Sequence, residues 1–422
     1  MINNKHEHIV KQVDLLADDI LDFTRRLVSE PSVLGNEAGV MNVYKTETSK
    51  LGLLPAEVHI DKERLNSVEG FAPVPWDYEG RFNIVAKHDS GFTGGKSLIF
   101  NGHLDVVYPG EVQRWDRDPY DPYEKDGWMY GRGSGDMKSG VAAMTYALHA
   151  FRQAGFEPCA PVTLEAVIEE ECCGNGAVAC LDAGYTADAV LIPEPFGAQI
   201  YSAQLGVMWF KVLVKGTPVH VLSTQSGSDA LEKGYQVIQV LREFEEELNN
   251  DNIPEKYKDK NHPINLNIGI MNGGDWPSTV PAFAELHCRI SYFPGETYSN
   301  MQKRIEFKLK EAEKRLGWDE GSVSLSYYGF RSDGHIADME WPVIKTLSDV
   351  HRSYTGENPA EYISTCTTDL RAFHHFSDCK GTCYGPVADS IHGFNERVDI
   401  ESVIHTAKIY ALFIAEWCGV KE

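Results

Sequence analysis

Three consecutive carboxylates, Glu169, Glu170 and Glu171, close an apolar run over 162–168. Neighbouring carboxylates repel one another unless a cation or a proton intervenes, so the triplet calls for a partner. A second apolar run, Leu98-Ile99-Phe100, delivers His103 and Asp105 to its end. That pairing suits a metal-binding imidazole oriented by a nearby carboxylate. Between the two lies a glycine-rich turn, Gly133-Ser134-Gly135-Asp136, which presents Asp136 just ahead of a helical pattern. Each feature taken singly has an ordinary reading as a polar turn, a helix N-cap or a solvated acidic edge. Spaced about one βα unit apart, His103, Asp136 and Glu171 are expected together at strand ends of one sheet, where α/β proteins place ligand sites. Zinc accepts imidazole nitrogen and carboxylate oxygen, and two such ions bridged by a carboxylate make a hydrolytic clamp.

The elements that must carry these residues follow from periodicity. Residues 1–50 predict two helices around a break at Glu30-Pro31-Ser32-Val33, the first amphipathic through Ile9, Val13, Leu16, Ile20, Phe23 and Leu27. Strands are expected over 56–60, 83–87, 98–100, 162–168 and 189–192, with a small-residue helix over 139–155 and another over 176–183. The Trp-, Tyr- and Pro-rich stretch from Trp115 to Tyr130 reads as a loop. Alternation of strand and helix implies a mostly parallel sheet with helices on both faces. From residue 204 the order becomes strand (207–214), helix (229–248), strands (265–271 and 282–292), helix (299–316) and strand (322–328), the split βαβ layout of a ferredoxin-like α+β domain. Helices over 342–354 and 400–417, a helix or turn around 370–376 and a strand over 381–384 then resume the α/β pattern. The expected division is a catalytic domain in two parts, 1–203 and 326–422, with 204–325 inserted.

A chain of 422 residues is long for one core, which agrees with two domains. Its formal net charge of -23 argues against nucleic acid and against an anionic membrane surface. Nine cysteines, an odd count without framework spacing, suggest reduced thiols and a cytoplasmic location. The N-terminal stretch carries acids throughout and lacks an apolar h-region, so no signal peptide is expected, and no run approaches membrane-spanning length.

Two rival sites are weaker. Gly174-x-Gly176-x-x-Ala179, with Glu194 beyond it, has the layout of a dinucleotide fingerprint, but it is entered from three carboxylates that would repel a pyrophosphate. Cys366, Cys379 and Cys383 with His374 and His375 could suggest a structural zinc, yet lack a close-paired knuckle and read better as buried thiols.

The stretches GHLDVV, YGRGSGDMKSG, EEECCGNGA, PEP and IHGFNE, in that order and over essentially the whole chain, resemble the metallo-aminoacylase and carboxypeptidase family. That family contains acetylornithine deacetylase, succinyl-diaminopimelate desuccinylase and glutamate carboxypeptidase. The resemblance implies two zinc ions per subunit, with cobalt or manganese as substitutes: His103, Asp136 and Glu194 on one, Asp136, Glu171 and His392 on the other. It implies Glu170 as general base, Asp105 as the residue orienting His103, and a homodimer in which His220 of the GTPVH turn reaches the neighbouring subunit's site. Arg289, in HCRISYFPG, matches the arginine that holds the substrate carboxylate. Two positions depart from the pattern near the substrate: Ser278, where the family commonly has Asn, and the loop Gly385-Pro386-Val387. The implied activity is hydrolysis of the amide of a small N-acyl amino acid, with a dipeptidase or carboxypeptidase as the alternative. A non-catalytic scaffold on the same fold is disfavoured, because all five implied ligands and Glu170 are present.

Overall fold

A computed structural model of the protein describes residues 4–422. At its centre is a six-stranded sheet in the order Leu54–His59, Phe82–His88, Val162–Val167, Leu98–His103, Ala189–Ile192, Lys380–Cys383. Only Phe82–His88 runs against the others. Every residue of Val162–Val167 and of Leu98–His103 is buried, as expected where helices cover both faces of a parallel sheet. The helix Ile400–Cys418 packs along Ser139–Gln153 and against Asn4–Leu15 and Pro342–Thr355, while Asn175–Asp182 packs with Leu370–Phe376. Small residues let Ser139–Gln153 approach closely: a Cβ at Gly140 would lie 2.3 Å from the Pro193 carbonyl oxygen.

The inserted unit has its own core, centred on Phe210, Val212, Val237, Leu241, Leu286 and Ile290. Its four antiparallel strands lie in the order Leu266–Gly273, Phe283–Tyr292, Gly206–Lys215, Val323–Ser332, with helices Ala230–Asn250 and Tyr298–Arg315 packed against it. The middle strands bear the alternating pattern of one buried face, with Phe210, Val212 and Val214 inward. This is the mixed α/β architecture with an α+β insert that the periodicities predict.

Two local expectations change. Residues 4–50 form three helices rather than two, since Asn4–Leu15 and Ala17–Val28 are separated at Leu16. The aromatic stretch is not a plain loop: Tyr123–Lys125 and Trp128–Tyr130 form a hairpin that pairs with Arg397–Asp399, which pairs in turn with Ala388–Asp389. Trp128 and Tyr130 face Asp399 and Arg397 across that ladder, a pairing no local pattern announces.

Candidate metal centre and active site

Three adjacent parallel strands deliver three of the acidic and imidazole groups. Leu98–His103 ends in His103 and pairs in register with Val162–Val167, so that His103 lies opposite Val167 and Glu169–Glu171 follow just beyond. Ala189–Ile192 on the other side leads to Glu194. The expectation that Asp136 also ends a strand of this sheet fails. It follows the Trp128–Tyr130 hairpin and sits just before the helix Ser139–Gln153, joined to Met137 by a cis peptide. His392 lies in the turn between Ala388–Asp389 and Arg397–Asp399, so the small sheet carries His392 and Asp136 to the same place.

Ligand atoms of His103, Asp136 and Glu171 lie within 4.8 Å of one another. His103 Nε2 is 3.0 Å from Asp136 Oδ1, and His392 Nε2 is 3.6 Å from Asp136 Oδ2 and 3.1 Å from Glu171. Each oxygen of Asp136 thus faces a different histidine. Glu170 Oε2 is 3.9 Å from His103 Nε2. Glu194 is buried and opens on the same cleft as Asp136, Glu170, Glu171 and His392.

The orienting contact to His103 differs from expectation. Its Nδ1 lies 2.9 Å from the Asp105 carbonyl oxygen, with the Asp105 carboxylate farther away at 3.6 Å. That carboxylate instead accepts the backbone N–H groups of Glu170 at 3.2 Å and Glu171 at 3.1 Å, and so fixes the turn bearing both glutamates. Glu169 takes no part in the cleft. It accepts from Trp76 Nε1 and Tyr78 OH, each at 2.6 Å, and pairs with Arg81 at 2.7 Å. Glu169 and His392 both hold positive φ, 68° and 62°, a conformation non-glycine residues rarely adopt outside special sites.

The electrostatics describe an excess of negative charge at the floor of a cleft. Burial drives the carboxyls of Glu170 and Glu194 well above the usual range, and their acidic neighbours add to it. Burial likewise lifts Asp105 to about 7, against the pull of His103. The charge of Glu171 raises His392 to about 11, helped by Asp136. Burial opposes a proton on His103, yet the hydrogen bond to Asp136 and the charges of Asp105, Asp136 and Glu170 raise it well above the ordinary histidine value. The ion pairs of Asp136, Glu170 and Glu171 run to imidazoles, not to lysine or arginine, among the described residues. The cluster of imidazole nitrogen and carboxylate oxygen, with no lysine or arginine paired to it among the described residues, is a donor set that zinc accepts, so the residues fit a metal centre.

Above the carboxylates a cleft of about 560 Å³ opens toward the insert, which contributes Trp209, His287 and Arg289, while Tyr328 and Phe330 come from the strand Val323–Ser332 that leaves it. Arg289 projects there with no ion-pair or hydrogen-bond partner among the described residues. The other implied positions are not brought to this cleft within one chain. His220 is exposed, with Nδ1 accepting the Leu222 N–H at 3.2 Å, and Ser278 is exposed beside it, its carbonyl accepting the Val221 N–H at 3.1 Å. Gly385 is buried under the Glu194 loop, where a Cβ would lie 2.2 Å from the Glu194 carbonyl oxygen, so its role is to let that loop approach.

Sequence reasoning missed Glu396. Buried, it accepts the N–H groups of Gly133, Gly135 and Asp136 at 3.1, 3.0 and 2.9 Å and pairs with buried Arg132. It ties the Asp136 turn to the His392 loop, and its place four residues after His392 in IHGFNE was the available signal. The rival sites dissolve. A Cβ at Gly174 would meet the Arg371 guanidinium at 1.6 Å, so protein fills the space a pyrophosphate would need. Cys366, Cys379 and Cys383 do not converge with His374 and His375, and all nine cysteines are free.

A cluster of imidazoles and carboxylates at the C-terminal edge of a mostly parallel sheet, buried at His103, Glu170 and Glu194 and open to solvent at His392, with an inserted α+β unit across the cleft, is the arrangement of a metal-dependent hydrolase. Residues 99–416 match the family described as Peptidase family M20/M25/M40, and the chain belongs to it. It is similar to an N-formyl-4-amino-5-aminomethyl-2-methylpyrimidine deformylase of Bacillus subtilis, 28% identical over 84% of this chain and 87% of the relative. It is 26% identical to an acetylornithine deacetylase of Proteus mirabilis over 94% of this chain and 96% of the relative. Among solved structures it resembles the di-peptidase Dug1p of Saccharomyces cerevisiae, with a TM-score of 0.81 at 16% identity over 99% of both chains.

Proposed function

We propose that this chain is a two-zinc amidohydrolase that cleaves the amide of a small N-acyl amino acid or related carboxylate, acetylornithine deacetylase-like in its chemistry. The observation that carries the two-metal reading is Asp136, whose two oxygens face two different histidines. In this reading His103 and Glu194 complete one site and Glu171 and His392 the other, with cobalt or manganese able to replace zinc. Bound there, divalent ions polarise the amide carbonyl and acidify water. The chain supplies the rest. Glu170, held by its N–H on Asp105, takes the proton of the attacking water and passes it to the leaving amine. Arg289 offers an unpaired guanidinium to a substrate carboxylate.

A homodimer belongs to the same proposal: His220 lies outside its own cleft and next to exposed apolar side chains, Leu222 at 88% and Trp276 at 68% exposure. The edge strand Leu266–Gly273 is unpaired on its outer side. The division 1–203, 204–325 and 326–422 belongs to the same proposal, with the strand Val323–Ser332 crossing the second boundary. A cytoplasmic location is proposed from the free cysteines; no helix among the described residues is long and apolar enough to cross a membrane.

The test is elemental analysis of purified protein together with hydrolysis of N-acyl amino acids and dipeptides before and after chelation. About two ions per chain and chelator-sensitive turnover are expected. Glu170→Gln should keep the metal and lose turnover by about 10²–10⁴-fold. An apoprotein as active as the loaded one would refute the mechanism.

A further inference from the structure

The insert's sheet presents an ordered row to the metal centre. Asn267, Arg289 and Trp209 are direct cross-strand neighbours on three adjacent strands, and all three line the cleft. Trp209 is held between two further rings, Tyr328 at 5.7 Å and 63° and Phe330 at 5.4 Å and 72°. Tyr328 is itself pinned: its hydroxyl lies 2.8 Å from His287 Nδ1, and His287 Nε2 lies 2.7 Å from Glu285. Edge-to-face packing fixes the indole while leaving it at the cleft wall, so the wall is rigid before anything binds. Next to it stands the unpaired guanidinium of Arg289, a group that costs free energy in a buried wall unless a ligand pairs with it. An aliphatic N-acyl amino acid would use the arginine and leave the half-buried rings of Trp209 and Tyr328 at the cleft wall without a partner.

We propose that the substrate carries a planar aromatic ring, seated against Trp209 between Tyr328 and Phe330, with a carboxylate or other hydrogen-bond acceptor beside the ring for Arg289. The inference rests on the amidohydrolase reading and narrows its substrate class. The ring determines affinity, and Arg289 with Asn267 sets its orientation relative to the scissile amide.

The experiment compares N-acetyl-L-phenylalanine with N-acetyl-L-alanine, which share the scissile amide and the carboxylate and differ by the ring. N-formyl-4-(aminomethyl)pyridine is included as a ring-bearing substrate with a neutral acceptor. The zinc-loaded protein should favour the better ring-bearing compound over N-acetyl-L-alanine by about tenfold or more in kcat/KM, the size of an aromatic stack with its buried area. Trp209→Ala should bring that ratio close to one, mainly through KM, and Trp209→Phe should retain most of it. Tyr328→Leu, which removes a ring while keeping bulk, gives an independent reading if Trp209→Ala does not fold. A general packing defect would lower all substrates alike and leave the ratio unchanged. Preference for phenylalanine supports the ring with an anion at Arg289; preference for the pyridine, which also differs in its acyl group, supports the ring with a neutral acceptor only where Trp209→Ala abolishes it. Equal turnover of the ring-bearing and aliphatic compounds by the unmutated protein, or a ratio indifferent to Trp209→Ala and Tyr328→Leu, would overturn the proposal while leaving the hydrolase reading intact. No turnover of any amide by zinc-loaded protein would instead remove the hydrolase reading itself.

Discussion

Glu165 sits in the middle of a central strand, fully buried, where a carboxylate has little to recommend it. One oxygen accepts the Asn101 side-chain N–H at 2.9 Å, while its other oxygen and the Asn101 carbonyl oxygen have no partner. Burial lifts this carboxyl to about 8; the Asn101 hydrogen bond pulls the other way, and the nearby charge of Asp369 adds to the rise. The neutral form therefore belongs to the folded state. Its contribution is complete below the unfolded value of about 4.3 and is lost as pH rises through the folded value, because the unfolded chain holds fewer protons over that window. Glu165→Gln keeps the shape and the neutral charge at every pH. Its unfolding free energy should match that of the unmutated protein near pH 4.5 and exceed it by pH 8, by up to about 5 kcal/mol. A deficit that is constant with pH would show that the carboxyl is not held neutral. At the same scale, the triplet Glu169-Glu170-Glu171 was visible as a site, but its division of labour was not. Which glutamate turns toward Arg81 and which toward the cleft depends on the positive φ at Glu169 and on where Asp105 grips the backbone.

Elements that lie far apart in sequence meet through Glu396. Its carboxylate satisfies three N–H groups of the Asp136 turn, and its backbone carbonyl accepts the Gly131 N–H at 3.0 Å. Breaking a buried ion pair leaves the partner charge unpaired and costs about 3–5 kcal/mol. Glu396→Ala strands Arg132 in the interior, so the chemical-denaturation free energy should fall by that amount. Metal content should fall with it, as the turn bearing Asp136 and the loop bearing His392 lose their common anchor. Full metal loading and an unchanged unfolding midpoint would show that the clamp is dispensable. The parallel strands and their helices were legible because apolar runs bounded by turns are local signals. The Trp128–Tyr130 hairpin was hidden by its aromatic and proline-rich surroundings. Its strands exist because Arg397–Asp399 pairs with them, Arg397 lying 267 residues after Tyr130.

For the whole molecule the open matter is completion of the site. The cleft holds Arg289 and the carboxylates, and His220 of the same chain does not line it. If His220 steadies the developing oxyanion in a neighbouring subunit, His220→Ala and Glu170→Ala proteins, each inactive, should regain part of the activity when mixed and allowed to exchange, since one of the two sites in a mixed dimer is intact. A mixture no more active than its components, with exchange confirmed, would remove the shared site. Sedimentation of the unmutated protein should report a dimer.

By itself the sequence determined the α/β class, the inserted α+β unit and the residue types of a metal centre, because hydrophobic period and motif order are written along the chain. His103, Asp105 and the three glutamates could be singled out from their positions after apolar runs. Other features arise only when distant segments meet. Tertiary structure placed His392 against Asp136, gave Glu396 its clamp, turned Glu169 toward Arg81, moved Asp136 off the central sheet and set an aromatic wall beside an unpaired Arg289. The physical reason is that periodicity reports which face of an element is buried, not what it is buried against. Charge partners, pocket walls and ligand geometry are properties of that second choice.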